Sequence, residues 1–287
     1  MLLIVGCGDI GLRVARLLRG RWRLLGLTRQ PERCAELRRA GIEPLVGDLE
    51  RPGTLGRLAG LADALLHLAP PPAHGDTDPG TEHLLRALAR RNRVRRIVYG
   101  STSGVYGDCA GARFDETRAV APATARGRRR VSAEQRLRWY GRTFGARVTL
   151  LRIPGIYAET RHPRERLARG LPVLDAAHDV YTNHIHADDL ARACVAALHR
   201  GQAQRVVHVS DDSELKMGDY FDLAADLAGL PRPRRVSPDE ARQVLSPMQL
   251  SFLGESRRLS NRRLKRELRL RLHYPTPAQG LPGGAER

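Results

Sequence analysis

Short apolar runs alternate with amphipathic stretches from the first residues onward. Leu2 to Val5 reads as a strand, and from about Asp9 to Gly20 the residues Ile10, Val14, Leu17 and Leu18 fall on one helical face. The same pair of patterns recurs. Residues 22–28 read as a second strand, 31–41 as a helix closed by Gly41, 42–49 as a third strand, and 64–70 as a fourth that runs into the turn-rich PPPAHGDTDPG. A helix over 81–92 leads to a strand over 94–103, and another helix begins near Pro122 and runs to about Phe144. Strands over 147–153 and 205–210 complete the series. Strands separated by helices predict an α/β fold with a doubly wound, mostly parallel sheet of the Rossmann kind, covered by helices on both faces. From Lys216 onward the pattern changes to short helical segments broken by proline-rich turns such as LPRPRRVSP (230–238), with no strand signal. That region reads as a small, mostly helical cap over the carboxyl ends of the strands.

Composition narrows the classes. The chain has 287 residues, 41% of them hydrophobic, which suits a globular α/β protein with ample core. The opening apolar run is too short for a signal peptide and lacks a basic flank, and no later run is long enough to cross a bilayer. Cysteines 7, 34, 109 and 194 are scattered with no CxxC, so a reducing cytoplasm is the expected compartment. The net charge of +18 raises nucleic acid as a partner. Only Lys216 and Lys265 are lysine, however, so the other 47 of the 49 basic residues are arginine, spread over almost every segment. With aromatic residues at 5%, base stacking is poorly served, and the balance argues against a nucleic-acid binder.

Gly6, Gly8 and Gly11 form G-x-G-x-x-G between the first strand and the first helix, with Cys7, Asp9 and Ile10 between them. Gly6 permits the tight turn, Gly8 lets the backbone approach a pyrophosphate, and Gly11 lets helix and strand pack closely; the helix N-terminus supplies N–H groups and a positive dipole. A bare tight turn is the bland alternative, but the strand before and the helix after favour dinucleotide binding. At the end of the second strand, where an NAD binder carries Asp or Glu for the ribose 2′-hydroxyl, the chain reads GLTRQPER. Arg29 stands there with Arg33 one turn later, so NADP is preferred over NAD. Residues 1–158 are therefore expected to form an NAD(P)-binding Rossmann domain, with 159–182 a cap segment. Residues 183–212 would return a helix and the last strand to the sheet, and 213–287 would form the C-terminal substrate cap.

In the order and spacing of these motifs the sequence resembles the short-chain dehydrogenase/reductase superfamily, in its extended, atypical NAD-dependent epimerase/dehydratase-like branch, over nearly the whole chain. GCGDIG stands for the glycine loop, GDL (47–49) for the element that meets adenine, HLAPP (67–71) for the strand end beside the cofactor, and GSTSGVYGD (100–108) for the strand ending in S-T/S-x-x-V-Y-G. LRIPGIY (151–157), NHIHADDLARA (183–193) and ESRRLSNRRLKREL (255–268) are similar to later family elements. The resemblance carries cofactor contacts onto Asp48 and Leu49, Leu68, Ala69 and Pro70, Arg130 and Pro154. It implies a polar small-molecule substrate of the nucleotide-linked class and a helix-mediated homodimer.

The family's chemistry uses a Ser/Thr with a Tyr and a Lys spaced Y-x-x-x-K, the tyrosine exchanging a proton with the substrate oxygen. Counting back from VYG places Thr102 on the Ser/Thr position. Anchoring the helix on Pro122 and Glu134 places Arg126 on the tyrosine position and Arg130 on the lysine position, and no Y-x-x-x-K occurs anywhere. Arg130 can still donate hydrogen bonds to a ribose, whereas Arg126 stays protonated and has no acceptor lone pair, so it cannot do acid/base work. Tyr106, Tyr157, His184 and His186 are the available substitutes, each with a packing role as its plainer alternative. HIH with His178 lacks the acidic or cysteine ligands of a metal site, and none is expected. The chain reads first as an enzyme of oxidoreductase or epimerase type, with Thr102 polarising the substrate oxygen and Arg126 binding an anionic group. The alternative is a catalytically silent NADP-binding sensor.

Overall fold

The computed structural model describes residues 1–282. Seven parallel strands form the main sheet: β1 (Leu2–Val5), β2 (Leu24–Thr28), β3 (Ile42–Val46), β4 (Ala64–His67), β5 (Arg96–Thr102), β6 (Arg147–Ile153) and β7 (Arg205–His208). Their spatial order is β7-β6-β5-β4-β1-β2-β3. The chain reverses direction across the sheet between β3 and β4, so β1 and β4 are neighbours whose following loops part to opposite sides. Such a switch point opens a crevice at the carboxyl ends of the strands.

Alternation along each strand explains why both faces are covered. Leu2 and Ile4 point to a layer containing Val14 and Leu18 of α1 (Asp9–Leu18) and Leu190 and Cys194 of α6 (Ala187–Arg200). Leu3 and Val5 point to the opposite layer, with Leu84 and Leu88 of α3 (Pro79–Ala89) and Leu137 and Tyr140 of α4 (Ala125–Phe144). The shorter α2 (Cys34–Arg39) follows β2 after a 3₁₀ turn at Pro31–Arg33.

Element ends follow local chemistry. The helix expected over 81–92 starts two residues earlier because Asp78 caps it, its side chain accepting from Thr81 N, with Pro79 in the first turn. Thr124 caps α4, and Gly145 ends it in the left-handed conformation at φ 69°. The strand expected over 42–49 stops at Val46, because Gly47 to Thr54 fold into a turn in which the Thr54 hydroxyl donates to Asp48 O and Arg51 O.

The cap is small. Leu167 of α5 (Arg164–Ala168) packs on Tyr220, Phe221 and Ala224 of α7 (Met217–Ala228). A second cluster joins Leu174 and Val236 to Ala241 of α8 (Pro238–Val244) and Leu253 of α9 (Pro247–Leu253). Where no strands were expected after Lys216, two residue pairs extend as strands: Arg235–Val236 beside Val173–Leu174 and Arg258–Leu259 beside Arg113–Phe114. Two residues are too few to leave a period in the sequence. From α10 (Arg262–Arg266) onward the chain returns to the sheet, where Leu264, Leu268, Leu270 and Leu272 join the α1/α6 layer instead of the cap clusters. Residues 283–287 of the expected cap lie outside the described residues. No helix among the described residues is long and apolar enough to cross a membrane.

Candidate functional site

The crevice starts at the glycine turn. Gly6 has φ +98°, and a Cβ there would lie 2.4 Å from the backbone nitrogen of Ala69. The ends of β1 and β4 are drawn together at that point, with Leu68 N and Ala69 N both donating to Val5 O at 2.7 and 3.0 Å. A Cβ on Gly11 would meet Gly6 O at 2.7 Å, which is why helix and turn can touch there. Gly8 differs: a Cβ on it would meet nothing within 4 Å. Its open side faces the crevice. No side chain caps α1 at this end, so its first N–H groups are left for a ligand.

Two cavities meet at Gly6, Gly8 and Pro70. The first, about 480 Å³, runs under the ends of β1 to β3 and is lined by Cys7, Arg29, Asp48, Leu49 and Ala69 among others. The second, about 350 Å³, runs toward β5 and β6 and is lined by Asp9, Ile10, Gly11, Leu68, Thr102, Arg130, Pro154 and Arg161. Together they form an elongated groove with the glycine turn at its waist. The sequence-derived cofactor positions thus all border this groove.

At its first end, Thr28 is buried and its hydroxyl hydrogen-bonds the backbone of Gln30. Arg29 is exposed and has no ion pair among the described residues. Arg33 is committed, donating to Cys7 O at 2.9 Å and to Glu36 at 3.0 Å. Burial pushes the Cys7 thiol up to about 12, so it is inert padding beneath the turn.

The arginines that begin α4 have separate tasks. Arg128 pairs with Asp76 at 2.9 Å and Arg129 donates to Gly75 O at 2.6 Å, pinning the loop that rims the groove. From Nη1, Arg130 donates to Gly100 O at 2.8 Å, to the Tyr99 hydroxyl at 3.0 Å and to Ala69 O at 3.4 Å. It therefore joins the ends of β4 and β5 in the wall of the second cavity. Arg126, one turn earlier, lines neither cavity. Its guanidinium lies 4.6 Å over the ring of Phe252 on α9.

Tyr106, a candidate proton donor from the sequence, is not in the groove. It is 1% exposed, accepts from Arg152 Nη1 at 2.7 Å and lies 2.6 Å from His208 Nε2. Burial pushes its hydroxyl up to about 12 despite the Arg152 charge beside it. Arg152 in turn forms a buried two-point pair with Glu134 at 3.1 and 2.7 Å, and Ser101 donates to the same carboxylate at 2.6 Å. This chain of side chains braces the wall of the second cavity from behind. Tyr157 and His184 also avoid the groove: Tyr157 is fully buried, and the His184 ring stacks on Tyr220 at 4.0 Å. His186 caps α6 by accepting from Asp188 N. Thr102 does reach the second cavity, and its Oγ1 accepts from Gly104 N at 3.2 Å, leaving its proton free to donate.

Sequence reasoning did not single out Ser101 and Arg161 as lining residues. Ser101 precedes Thr102 at the end of β5, and Arg161 stands on a turn with no periodic signal.

A family profile described as the NAD dependent epimerase/dehydratase family matches residues 2–210. The chain belongs to that family. It is 27% identical to Protein YeeZ of Escherichia coli (strain K12), with 96% of each chain aligned. It superposes with a TM-score of 0.83 and 34% identity on a functionally unknown conserved protein from Silicibacter pomeroyi DSS, covering 97% of this chain and 95% of that one. A double mutant of the dTDP-glucose 4,6-dehydratase DesIV from Streptomyces venezuelae, solved with NAD bound, shares the fold at a TM-score of 0.77 and 23% identity, covering 97% and 94%.

Proposed function

We propose that this member of the epimerase/dehydratase family binds a nicotinamide dinucleotide along the groove, NADP(H) in preference to NAD(H). On this reading it is an oxidoreductase or epimerase/dehydratase-type enzyme with a non-standard active site, acting on a polar, nucleotide-sugar-like hydroxy or keto substrate. The carrying observation is Gly8: its open side lies where the two cavities meet, under the uncapped start of α1. A diphosphate fits there, with an adenosine half toward Arg29 and Asp48 and the reactive ring toward Thr102 and Arg130. Arg29 supports the NADP preference, because an unpaired guanidinium at the end of β2 suits a 2′-phosphate.

When bound, the nicotinamide supplies hydride chemistry. The chain's own residues position the rest. Thr102 donates its free hydroxyl proton to the substrate oxygen. Arg130, held by two strand ends, offers its remaining N–H groups to the ribose or to charge developing on that oxygen. Arg126 provides no group that titrates near neutral pH, and the Tyr106 phenol is sealed away from the groove. Proton exchange on this reading passes through water or the substrate itself. The cytoplasm and a homodimer are part of the same proposal, and light scattering tests the latter.

A second reading, a catalytically silent NADP-binding sensor, is favoured by Arg126, which stacks on Phe252 and lines neither cavity, so that it brings no proton donor to the groove. Titration of NADPH and NADH by fluorescence and calorimetry tests the shared premise, and no uptake of either at saturating concentration overturns it. Turnover of any member of a panel of carbonyl and sugar-nucleotide substrates supports the enzyme. Binding without turnover, joined to activity in Arg126→Tyr/Arg130→Lys, supports the sensor.

A further inference from the structure

Arg161 ends the 3₁₀ turn Glu159–Arg161, which follows the short strand Gly155–Tyr157 in the cap-forming part of the chain. Its side chain reaches back across the crevice to the first turn of α1, where Nε donates to Asp9 Oδ2 at 2.9 Å. The other oxygen of Asp9 accepts from Arg13 Nε at 2.7 Å, and Arg13 continues through Nη1 to Asp188 at the start of α6. The result is a row of alternating charges, Asp188, Arg13, Asp9 and Arg161. Arg13 is used up between two carboxylates. Arg161 is the open end of the row: neither of its terminal nitrogens has a protein acceptor among the described residues.

The place matters as much as the pairing. Arg161 lines the same cavity as Gly6, Gly8 and Gly11, on the side leading to Thr102 and Arg130. An aspartate in the first turn of a phosphate-binding helix suits the helix dipole but repels the phosphate that is to sit there. Asp9 stays ionised, because the hydrogen bonds from Arg161 and Arg13 outweigh the upward push of burial. A carboxylate that grips Arg161 through Nε fixes the plane of the guanidinium and leaves its Nη edge presented, the arrangement that meets phosphate oxygens with two parallel hydrogen bonds.

We propose that Arg161 is a ligand of the dinucleotide's diphosphate, contacting the phosphate on the nicotinamide side, with Asp9 as its tether. The proposal rests on the dinucleotide reading above and assigns one contact within it. An ordinary surface ion pair, by contrast, carries little energy and has no bearing on ligand affinity. The two views part on a fragment comparison.

Calorimetry on the full chain would use 2′-phospho-ADP-ribose, which has both phosphates and no nicotinamide ring, and adenosine 2′,5′-bisphosphate, which lacks the second phosphate of the diphosphate. Arg161→Ala is expected to weaken 2′-phospho-ADP-ribose and NADPH by about 10- to 100-fold, the scale of a hydrogen bond to a charged group, and the bisphosphate by less than about 3-fold. Arg161→Lys should recover part of the loss, as a point charge without the fork. Asp9→Asn, which releases the tether, should weaken 2′-phospho-ADP-ribose more than it weakens the bisphosphate, though by less than Arg161→Ala does, and an equal effect on both fragments would count against the tether. Thermal midpoints control for folding, and Asp9→Asn keeps a readout should Arg161→Ala unfold. Unchanged affinity in Arg161→Ala, or an equal loss for both fragments, overturns the assignment while leaving dinucleotide binding intact. Failure of the parent chain to take up NADPH or NADH removes the dinucleotide reading, and this assignment with it.

Discussion

Gly8→Ala should separate ligand binding from folding. Gly8 sits at φ −82° and ψ −161°, a conformation open to any residue, and an added methyl group touches no protein atom within 4 Å. Two small terms act on stability. Alanine restricts the unfolded chain, worth about 0.4–1 kcal/mol in favour, and it is a poorer helix cap than glycine by a similar amount. They roughly cancel. With an unfolding entropy of about 2.1 cal/mol/K per residue, the chain carries about 0.6 kcal/mol/K, so the melting midpoint should move by less than about 2 °C. The same methyl group projects into the waist of the groove and should cost NADPH affinity at least about tenfold, or ~1.4 kcal/mol. Gly6→Ala is the counter-case. It places a Cβ at φ +98° and drives it to 2.4 Å from Ala69 N, where β1 and β4 cannot part without breaking the bonds to Val5 O. Strain and overpacking together cost about 2–5 kcal/mol, a fall of about 3–8 °C. Thermal unfolding and NADPH titration on both variants read the contrast. A folded Gly8→Ala protein that binds NADPH as tightly as its parent would refute the reasoning.

Three further outcomes are expected. Arg29→Glu should weaken NADPH about 10- to 100-fold and leave NADH unchanged or tighter; equal effects on both would deny Arg29 a role in 2′-phosphate recognition. Glu134→Ala strands the Arg152 guanidinium in a site where both side chains are 5% exposed, costing about 3–5 kcal/mol in urea unfolding. Glu134→Leu with Arg152→Met should recover most of that loss, and a double variant as weak as the single one would count against the ion pair as its cause. Stability should also fall with acid. Burial holds His67 at about 4 and both His184 and His208 at about 3, below their ordinary 6.5. Their contribution is fully present above pH 6.5 and is lost as pH drops toward those values, because only the unfolded chain takes up the protons. Asp211, raised to about 7 by burial, works against this, its contribution present below its ordinary 3.8 and lost as pH rises through 7. The three histidines outnumber it, so stability should rise with pH near pH 5, and Asp211→Asn should steepen the rise; a flat profile would contradict the assignment.

What the sequence discloses and what it hides divide by the range of the interactions. Gly6 and Gly11 were readable because other residues are resisted there by backbone conformation or close contact, and Gly8 because the groove needs its open side, all within six positions. The strand at 147–153 has the expected ends because Gly145 and Pro154 punctuate it. The choice between a site role and a packing role for Tyr106 could not be read locally, because its surroundings come from Arg152 and His208, 46 and 102 residues further on. The stacking of Arg126 on Phe252 is similarly a meeting of distant segments. Leu264, Leu268, Leu270 and Leu272 follow neither a helical nor a strand period throughout, so nothing local says that they return to the sheet.

Those four leucines set a limit on how the protein can be cut. The family profile ends at residue 210, yet the layer over β1 is closed by side chains more than fifty residues later. Asp189, fully enclosed in α6, pairs with Arg192 and takes its other hydrogen bonds from the backbone N–H groups of His273 and Tyr274. A fragment trimmed to the matched span would therefore present a greasy stripe to solvent and leave the Asp189 carboxylate with only Arg192 of its partners. The nucleotide fold of this protein is sealed only once its late-made segment has threaded home, so the profile marks ancestry and not an autonomous folding unit.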